Sequence, residues 1–298
     1  MYPAKFDYVR AGSVAEAVSL LQQHGDDAKV LAGGHSLLPA MKLRLSQPAV
    51  LIDIGRIAEL RGIEQREDGS LRIGALTTYA EIAADEQLQQ SHAALTDACS
   101  VIGDAQVRNC GTIGGNLSHN DPASDLPAVA LALNATLHVT GSGGARAIPA
   151  DEFIVGLLET ALAADEIVTA VEFPAPGEGA GSAYVKFENP ASGYAICGVA
   201  AAVRISETRG GPSVEDVRVA VNGALDHARR LTAVEDALRG GPHDMHDVPS
   251  ESAAQHAADG LNEGDFMSDI HADAAYRVHL TRVLTRRALE KAVTRARG

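Results

Sequence analysis

Only three cysteines, Cys99, Cys110 and Cys197, occur in the 298 residues. They stand too far apart for a C-x-x-C metal or iron–sulfur pattern, and an odd number of them does not make a disulfide framework. They read as small core or surface residues of a protein kept in a reducing compartment. If this chain handles electrons, the iron–sulfur clusters belong to another chain. Basic residues are also short, 25 against 39 acidic ones, for a net charge of −14. Phosphate-backbone binding needs a basic face, so a nucleic-acid partner is excluded and any phosphate ligand must be held locally. No uninterrupted apolar run approaches about 18 residues. The opening stretch "MYPAKFDYVRAGS" lacks a basic region followed by an apolar core. Neither membrane spanning nor secretion is expected, and the expected location is the cytoplasm.

The usual nucleotide signatures are missing too. Neither glycine-rich stretch has the G-x-G-x-x-G of a Rossmann turn, although Asp53 falls about 20 residues after the first of them. Neither ends in the G-K-[ST] of a P-loop, and no low-complexity tract or fixed-period repeat is visible.

What is present is a globular composition, 46% hydrophobic and 21% charged, with length for two or three domains. In "SVAEAVSLLQQH", Val14, Ala17, Val18 and Leu21 recur at helical spacing behind Ser13, with Glu16 placed as in a capping box. "AKVLAGG" and "AVLIDIG" read as strands, the second as a buried one. "SLRIGALTTYAEIAAD" runs from a strand into a helix capped near Thr77 or Thr78, and "HAALTDACSVIG" reads as a further helix. The cluster Pro174, Pro176, Gly177, Gly179 and Gly181 is the best linker. Beyond it, "GYAICGVAAAVRIS" and "VEDVRVAVNGA" read as strands joined through "ETRGGP". The tail is helical through Tyr276, Leu280, Val283, Leu284, Ala288 and Leu289. Its basic residues suit either a solvated face packed on its own domain or a docking face. The expected units are residues 1–55, 56–176 and 177–298.

Two stretches carry the chemistry. "AGGHS" (Ala32–Ser36) and "TIGGN" (Thr112–Asn116) each place two glycines beside polar side chains. Consecutive glycines let backbone N–H groups converge and let a bulky anion come close. A single such pair is commonly a structural turn. Two of them in separate blocks suggest one shared, phosphate-bearing ligand between two subdomains. The "HDMH" run, His243–His246, has metal-like spacing but lies between turn signals and reads as an exposed polar loop. His35 and His119 are assigned no proton-transfer role.

"LAGGHSLLPAMKLRL", "VRNCGTIGGNLSHNDPASDLPA" and "NPASGYAICGVAAAV", in this order and spacing, resemble the FAD-binding medium subunit of molybdenum hydroxylases. The likeness runs over essentially the whole chain and is strongest to carbon monoxide dehydrogenase medium subunits, weaker to the flavin domain of xanthine dehydrogenase. It implies an α+β protein: a two-subdomain FAD-binding fold of the vanillyl-alcohol-oxidase/PCMH type, then a smaller C-terminal α+β domain. It implies noncovalent FAD, with Val30, Leu31, Ala32, Gly33, Gly34, His35, Ser36 and Leu37 wrapping the pyrophosphate from one side. Gly111, Thr112, Ile113, Gly114, Gly115 and Asn116 wrap it from the other. Asp125, with Ser124 beside it, matches the family's acceptor of FAD hydroxyls; by residue type alone it also suits an N-cap before Leu126 and Pro127. Ile102 and Val168 fall at apolar contacts, and Lys186 and Tyr194 near the isoalloxazine, though Tyr194 also suits a plain strand aromatic. No catalytic side chain is implied. The partners implied are a large molybdopterin subunit and a small subunit with [2Fe–2S] clusters, in an αβγ assembly that is often doubled. A stand-alone flavin oxidase or reductase and a nucleotide-binding scaffold are the competing readings. Valine at Gly33 or Gly114 is expected to lose flavin with the fold intact, by filling the phosphate approach.

Overall fold

The computed structural model describes residues 1–208, 211–239 and 250–298. The "HDMH" run therefore lies outside the described residues. Strands β1 (Asp7–Arg10), β2 (Ala28–Leu31) and β3 (Val50–Asp53) form a parallel sheet with β3 in the middle. The central place explains the unbroken apolar run of "AVLIDIG": Val50, Leu51 and Ile52 are all buried. The helix Val14–His24 turns Ala17, Val18 and Leu21 onto this sheet, and the Ser13 hydroxyl accepts the Glu16 amide at its start. The capping box is displaced by one residue, because the Glu16 carboxylate takes the amide of Gly12. Asp53 accepts from the Tyr8 hydroxyl and the Gly55 amide, so its spacing from the glycines reflects a strand-end role.

The second sheet contains β4 (Ile63–Gln65), β5 (Leu71–Gly74), β6 (Thr136–Gly141), β7 (Gly144–Pro149) and β10 (Ile167–Phe173), in the order β4-β5-β10-β6-β7. A small hairpin, β8 (Ile154–Gly156) with β9 (Glu159–Thr160), interrupts the sequence between β7 and β10. Thr78 and Glu81 form a full capping box at the helix Tyr79–Ala84, which settles the start on Thr78. The helices Ala93–Val101 and Leu126–Ala132 cover this sheet's core.

The third sheet is β11 (Ala180–Glu188), β12 (Ala195–Thr208), β13 (Gly211–Asn222) and β14 (Arg229–Arg230), antiparallel throughout. Alternation along its strands serves two cores at once. Tyr184, Ala200 and Ala220 pack with the helices covering the second sheet, whereas Ala183, Val199 and Val219 pack with the tail helix Ala274–Ala296. The sheet is thus shared between the two cores. Gly181, placed in the linker by sequence, sits inside β11: a Cβ there would overlap the Ala292 carbonyl of the tail helix and lie 2.4 Å from the Ala296 amide nitrogen. The linker proper ends at Gly179, where β11 begins.

The tail helix packs on its own domain through Leu280, Leu284, Ala288 and Leu289, while Tyr276 stays exposed. Its basic residues reach back into the fold. Arg295 grips both oxygens of Asp97, at 2.7 and 3.0 Å, and Lys291 lies 3.0 Å from the same carboxylate. Burial pulls the Asp97 pKa up, but hydrogen bonds from Arg295, the Tyr184 amide and Lys291 outweigh it and hold the group below its usual value of 3.8. A lowered folded-state pKa stabilises the protein above the unfolded value, and that stability disappears as pH falls through the folded one. Asp97→Asn is expected to cost about 1–2 kcal/mol at pH 7, after allowing for the partly exposed cations. In urea unfolding the difference should shrink below pH ~4; an equal gap at pH 7 and pH 2.5 would show that ionisation is irrelevant there.

Candidate functional site

The two glycine stretches meet. The first leaves β2 and turns through Gly34, at φ +74°, into the helix Leu37–Lys42. The amides of Gly33, Gly34, His35 and Ser36 find no acceptor within the described chain. Four successive donors without partners, on a partly exposed loop, have the chemistry of an anion cradle. His35 does a local job, its Nδ1 lying 3.1 Å from the Gly33 carbonyl.

The second stretch is different. Thr112 caps the short helix Ile113–His119, its hydroxyl accepting the Gly115 amide. The amides of Ile113, Gly114 and Asn116 donate to Thr77, Ala75 and Thr112. The expectation of two similar amide cradles is therefore met by the first stretch only. The second contributes side chains and a close-fitting surface. Nor do its glycines clear a path for an anion: a Cβ on Gly114 would press into Ala75 at 2.5 Å, and one on Gly111 into the Tyr79 ring. A Cβ on Gly33 would overlap the Cys110 carbonyl, 2.8 Å from its carbon. These glycines let protein approach protein, which corrects the expectation that valine there spares the fold. Gly115 also faces the first loop, its Cβ position 3.7 Å from that of Ala32.

From Asn116 a chain of side chains leads inward. Its carboxamide donates to the Tyr79 hydroxyl at 2.9 Å and accepts from the Ser124 hydroxyl at 2.6 Å. Asn120, left-handed at φ 46°, ends the helix and donates to the carbonyls of Gly156 and Glu159, fixing the β8–β9 hairpin. Asp125 then begins the helix Leu126–Ala132 without capping it. Its carboxylate instead accepts from the Tyr184 hydroxyl at 2.5 Å and lies 3.3 Å from the Lys186 ammonium. The N-cap alternative fails for this reason. Burial raises the Asp125 pKa to about 6, against the opposing pull of Lys186 and Tyr184.

Lys186 donates to the carbonyls of Val101 and Gly193, both at 2.8 Å, as well as to Asp125. An ammonium has three protons, so all are committed within the chain. These contacts gather the segments bearing Ile102 and Tyr194. Arg108 pins the first of them further, donating to the carbonyls of Ile102 and Gly103. Tyr194 lies just ahead of β12, half exposed, which removes the plain strand reading. Its pKa is raised by partial burial and then by Asp121 and Asp125. Val168 stands apart: it is 4% exposed and packs in the core beside Val139, its partner in β6. Val30, Leu31 and Leu37 flank the first loop on β2 and the following helix.

Sequence reasoning missed Tyr184, Asn222, Tyr79 and Arg108. A signal existed for the first. Tyr184 lies two residues before Lys186 on a strand, hence on the same face.

A loop of unpaired amides, a second loop packed against it and a buried carboxylate next to Ser124, which bonds Asn116 of that second loop, mark a site for a phosphate-bearing ligand in a protein of mixed α and β structure. Residues 4–176 match the family described as the FAD binding domain in molybdopterin dehydrogenase, and residues 182–292 match the CO dehydrogenase flavoprotein C-terminal domain. The chain belongs to this family of flavoprotein subunits, and its cofactor is FAD. It is 39% identical over 297 residues to the carbon monoxide dehydrogenase medium chain of Hydrogenophaga pseudoflava, covering 99% of each chain. It is 37% identical to the 6-hydroxypseudooxynicotine dehydrogenase complex subunit alpha of Paenarthrobacter nicotinovorans, covering 100% of this chain and 97% of that one. Among solved structures, the carbon monoxide dehydrogenase from Hydrogenophaga pseudoflava that lacks the Mo-pyranopterin moiety superposes with a TM-score of 0.90, at 39% identity and 99% coverage of both chains. The chain is thus a subunit of an oxidoreductase. No helix among the described residues is long and apolar enough to cross a membrane.

Proposed function

We propose that this chain is the electron-transferring subunit of a heterotrimeric molybdenum hydroxylase resembling aerobic carbon monoxide dehydrogenase. A large molybdopterin subunit oxidises the substrate, a small subunit relays electrons through [2Fe–2S] clusters, and this subunit passes them to an external acceptor. The observation that carries the reading is the row of unpaired amides from Gly33 to Ser36, set against the "TIGGN" loop in a chain similar over its full length to such medium chains. The assembly is expected to be a dimer of αβγ trimers in the cytoplasm, where three free thiols persist. The three units would divide near residues 55 and 176, in keeping with three sheets that each fall within one unit.

FAD would supply the redox chemistry when bound, storing two electrons that one-electron clusters deliver singly and passing them to the acceptor. The chain's residues bind and orient. The amides of Gly33 to Ser36 hold the pyrophosphate by hydrogen bonds that a −14 chain cannot replace with a basic surface. Thr112 and Asn116 would hold the second loop in shape beside it through their bonds to Gly115, Tyr79 and Ser124, with Ala32, Gly114 and Gly115 closing the contact. Asp125 would accept a hydrogen bond from a cofactor hydroxyl, and Ser124 holds Asn116 in place. Ile102 and Tyr194 would wall the ring, whereas Val168 stays in the core beside Val139. No side chain acts as a nucleophile or general base. The substrate is chosen by the large subunit, whether CO, an aldehyde, a purine or another N-heterocycle.

Purification of the tagged chain from its own cells is expected to recover two further chains, one containing molybdenum and one showing [2Fe–2S] absorbance. Substrate oxidation should require all three. Turnover of an aldehyde or N-heterocycle by this chain with FAD alone would instead establish a stand-alone oxidase or reductase.

A further inference from the structure

We infer that Tyr184, which lies outside both glycine stretches, is a positioning residue of the flavin site: its hydroxyl, backed by Asn222, orients the Asp125 carboxylate that receives the cofactor hydroxyl, while Lys186 fixes that carboxylate to the walls of the ring pocket. The inference rests on the FAD reading and deepens it.

The cluster crosses the seam between the flavin-binding part and the shared sheet. Asp125 comes from the first, Tyr184 and Lys186 from β11, and Asn222 from the end of β13. Tyr184 is fully enclosed, and its oxygen lies 2.5 Å from Asp125 and 3.1 Å from Asn222. A phenol has one proton to give. The shorter, charge-assisted contact takes it, so Tyr184 donates to Asp125. The Asn222 side chain must then present its amide rather than its carbonyl to the phenol. The orphaned state of Asn222 Nδ2 in the opposite orientation agrees, since the two ends of a carboxamide are exchanged by a simple flip. Flipped, Asn222 donates to Tyr184, and Tyr184 donates to Asp125. The relay has one direction and ends on the carboxylate.

Space has been made for it. A Cβ on Gly198, in β12, would overlap the Tyr184 hydroxyl and approach Asn222 Oδ1 at 2.5 Å. The glycine serves the phenol oxygen, so removing that oxygen alone creates no clash. On the other side, Lys186 spends its three protons on Asp125, Val101 and Gly193. Gly193 in turn sits against Gly103, its Cβ position 3.5 Å from the Gly103 Cα. One buried ammonium therefore sets Asp125, Ile102 and Tyr194 relative to one another.

The groups facing Asp125 decide how the site responds to pH. Lys186 and Tyr184 favour its ionised form, and Glu188, also on β11, opposes it. Tyr79, Cys99 and Tyr194 face it from the helix Tyr79–Ala84, the helix Ala93–Val101 and the loop before β12; each has its own ionisation disfavoured by burial first and by the Asp125 charge. All three stay neutral near pH 6. The ionised carboxylate accepts a hydroxyl's hydrogen bond more strongly than the neutral acid does, so FAD affinity should fall as pH drops through the Asp125 transition near 6. Tyr184→Phe removes a donor that favours the ionised form, and Lys186→Met removes the opposite charge. Both should move the transition to higher pH.

The test is titration of FAD into the full-length apo chain from pH 5 to 8.5, followed by flavin fluorescence, for the wild type, Tyr184→Phe and Lys186→Met. The expected result for Tyr184→Phe is a transition raised by about one pH unit, so that binding weakens about twofold at pH 7 and about tenfold at pH 5, with affinity regained at high pH. Lys186→Met is expected to shift in the same direction, which keeps the test decisive if one variant does not fold. FAD binding by both variants with the wild-type transition unmoved would overturn the positioning role while leaving the FAD reading intact. A folded wild-type chain that binds no FAD would overturn both.

Discussion

Gly33→Ala is expected to abolish FAD uptake and to destabilise the chain by about 3 kcal/mol, the upper end of the range for overpacking. The reason is where the added methyl group would lie. It would overlap the Cys110 carbonyl oxygen and stand 3.0 Å from the Gly111 Cα. Both neighbours are backbone, and that backbone is held: the Gly111 amide donates to Val107 at 2.7 Å and the Gly111 carbonyl accepts the Tyr79 amide at 3.2 Å. No side chain can swing aside, so the first loop must lift off the second. Lifting it disperses the four unpaired amides to which we assign the pyrophosphate. Gly115→Ala should do less harm, because its methyl group would chiefly meet the Thr112 hydroxyl, at 2.8 Å, which can rotate. Gly143→Ala, where a Cβ meets nothing within 4 Å, serves as the control. Urea midpoints and flavin absorbance of the three variants check the order. Flavin retained by Gly33→Ala at wild-type stability would show that the loops do not need this contact.

Arg277→Met should produce the second large effect, a loss of about 3 kcal/mol. Arg277 is 2% exposed, and one of its terminal nitrogens donates to the carbonyls of both Ile196 and Gly223. The other meets Asp269. Methionine fills a similar volume but leaves two buried carbonyls unpaired, which carries the desolvation penalty of each. Asp269 is 44% exposed, so its carboxylate returns to water and adds little. The consequence reaches the site. Arg277 gathers the start of β12 and the turn after β13, and these receive the "DPAS" segment: Gly223 donates to the Pro122 carbonyl at 2.7 Å and Ala195 to the Ala123 carbonyl at 3.3 Å. FAD affinity should therefore fall along with the urea midpoint. A variant with a lowered midpoint and unchanged affinity would separate the tail helix from the site.

Much of the fold was legible because local signals and packing agree. β3 reads as buried and is central, and the helix Val14–His24 follows its apolar spacing. Gly181 shows where legibility ended. Beside Pro174, Pro176, Gly177 and Gly179 it looks like linker, yet its freedom from a side chain serves the tail helix, more than 100 residues away along the chain. Gly33 and Gly114 show the same limit within the site. Local sequence indicates that glycine is needed there but not whether ligand or protein makes the close approach. The hydrogen-bond state of "TIGGN" was equally hidden, because Thr77 and Ala75, which accept its amides, come from a different segment. Asp125 matched a motif, but its partners Tyr184 and Asn222 are brought to it by the sheet rather than by sequence proximity.

The central claim is that this chain carries FAD in the seam between its two glycine loops. Titrating the folded full-length chain with FAD tests it most directly. One noncovalent FAD per chain is expected, with a flavoprotein spectrum, release on acid denaturation, and no uptake by Gly33→Ala. A wild-type chain that unfolds cooperatively, and is therefore folded, yet takes up no FAD at any pH from 5 to 8.5 would contradict the account.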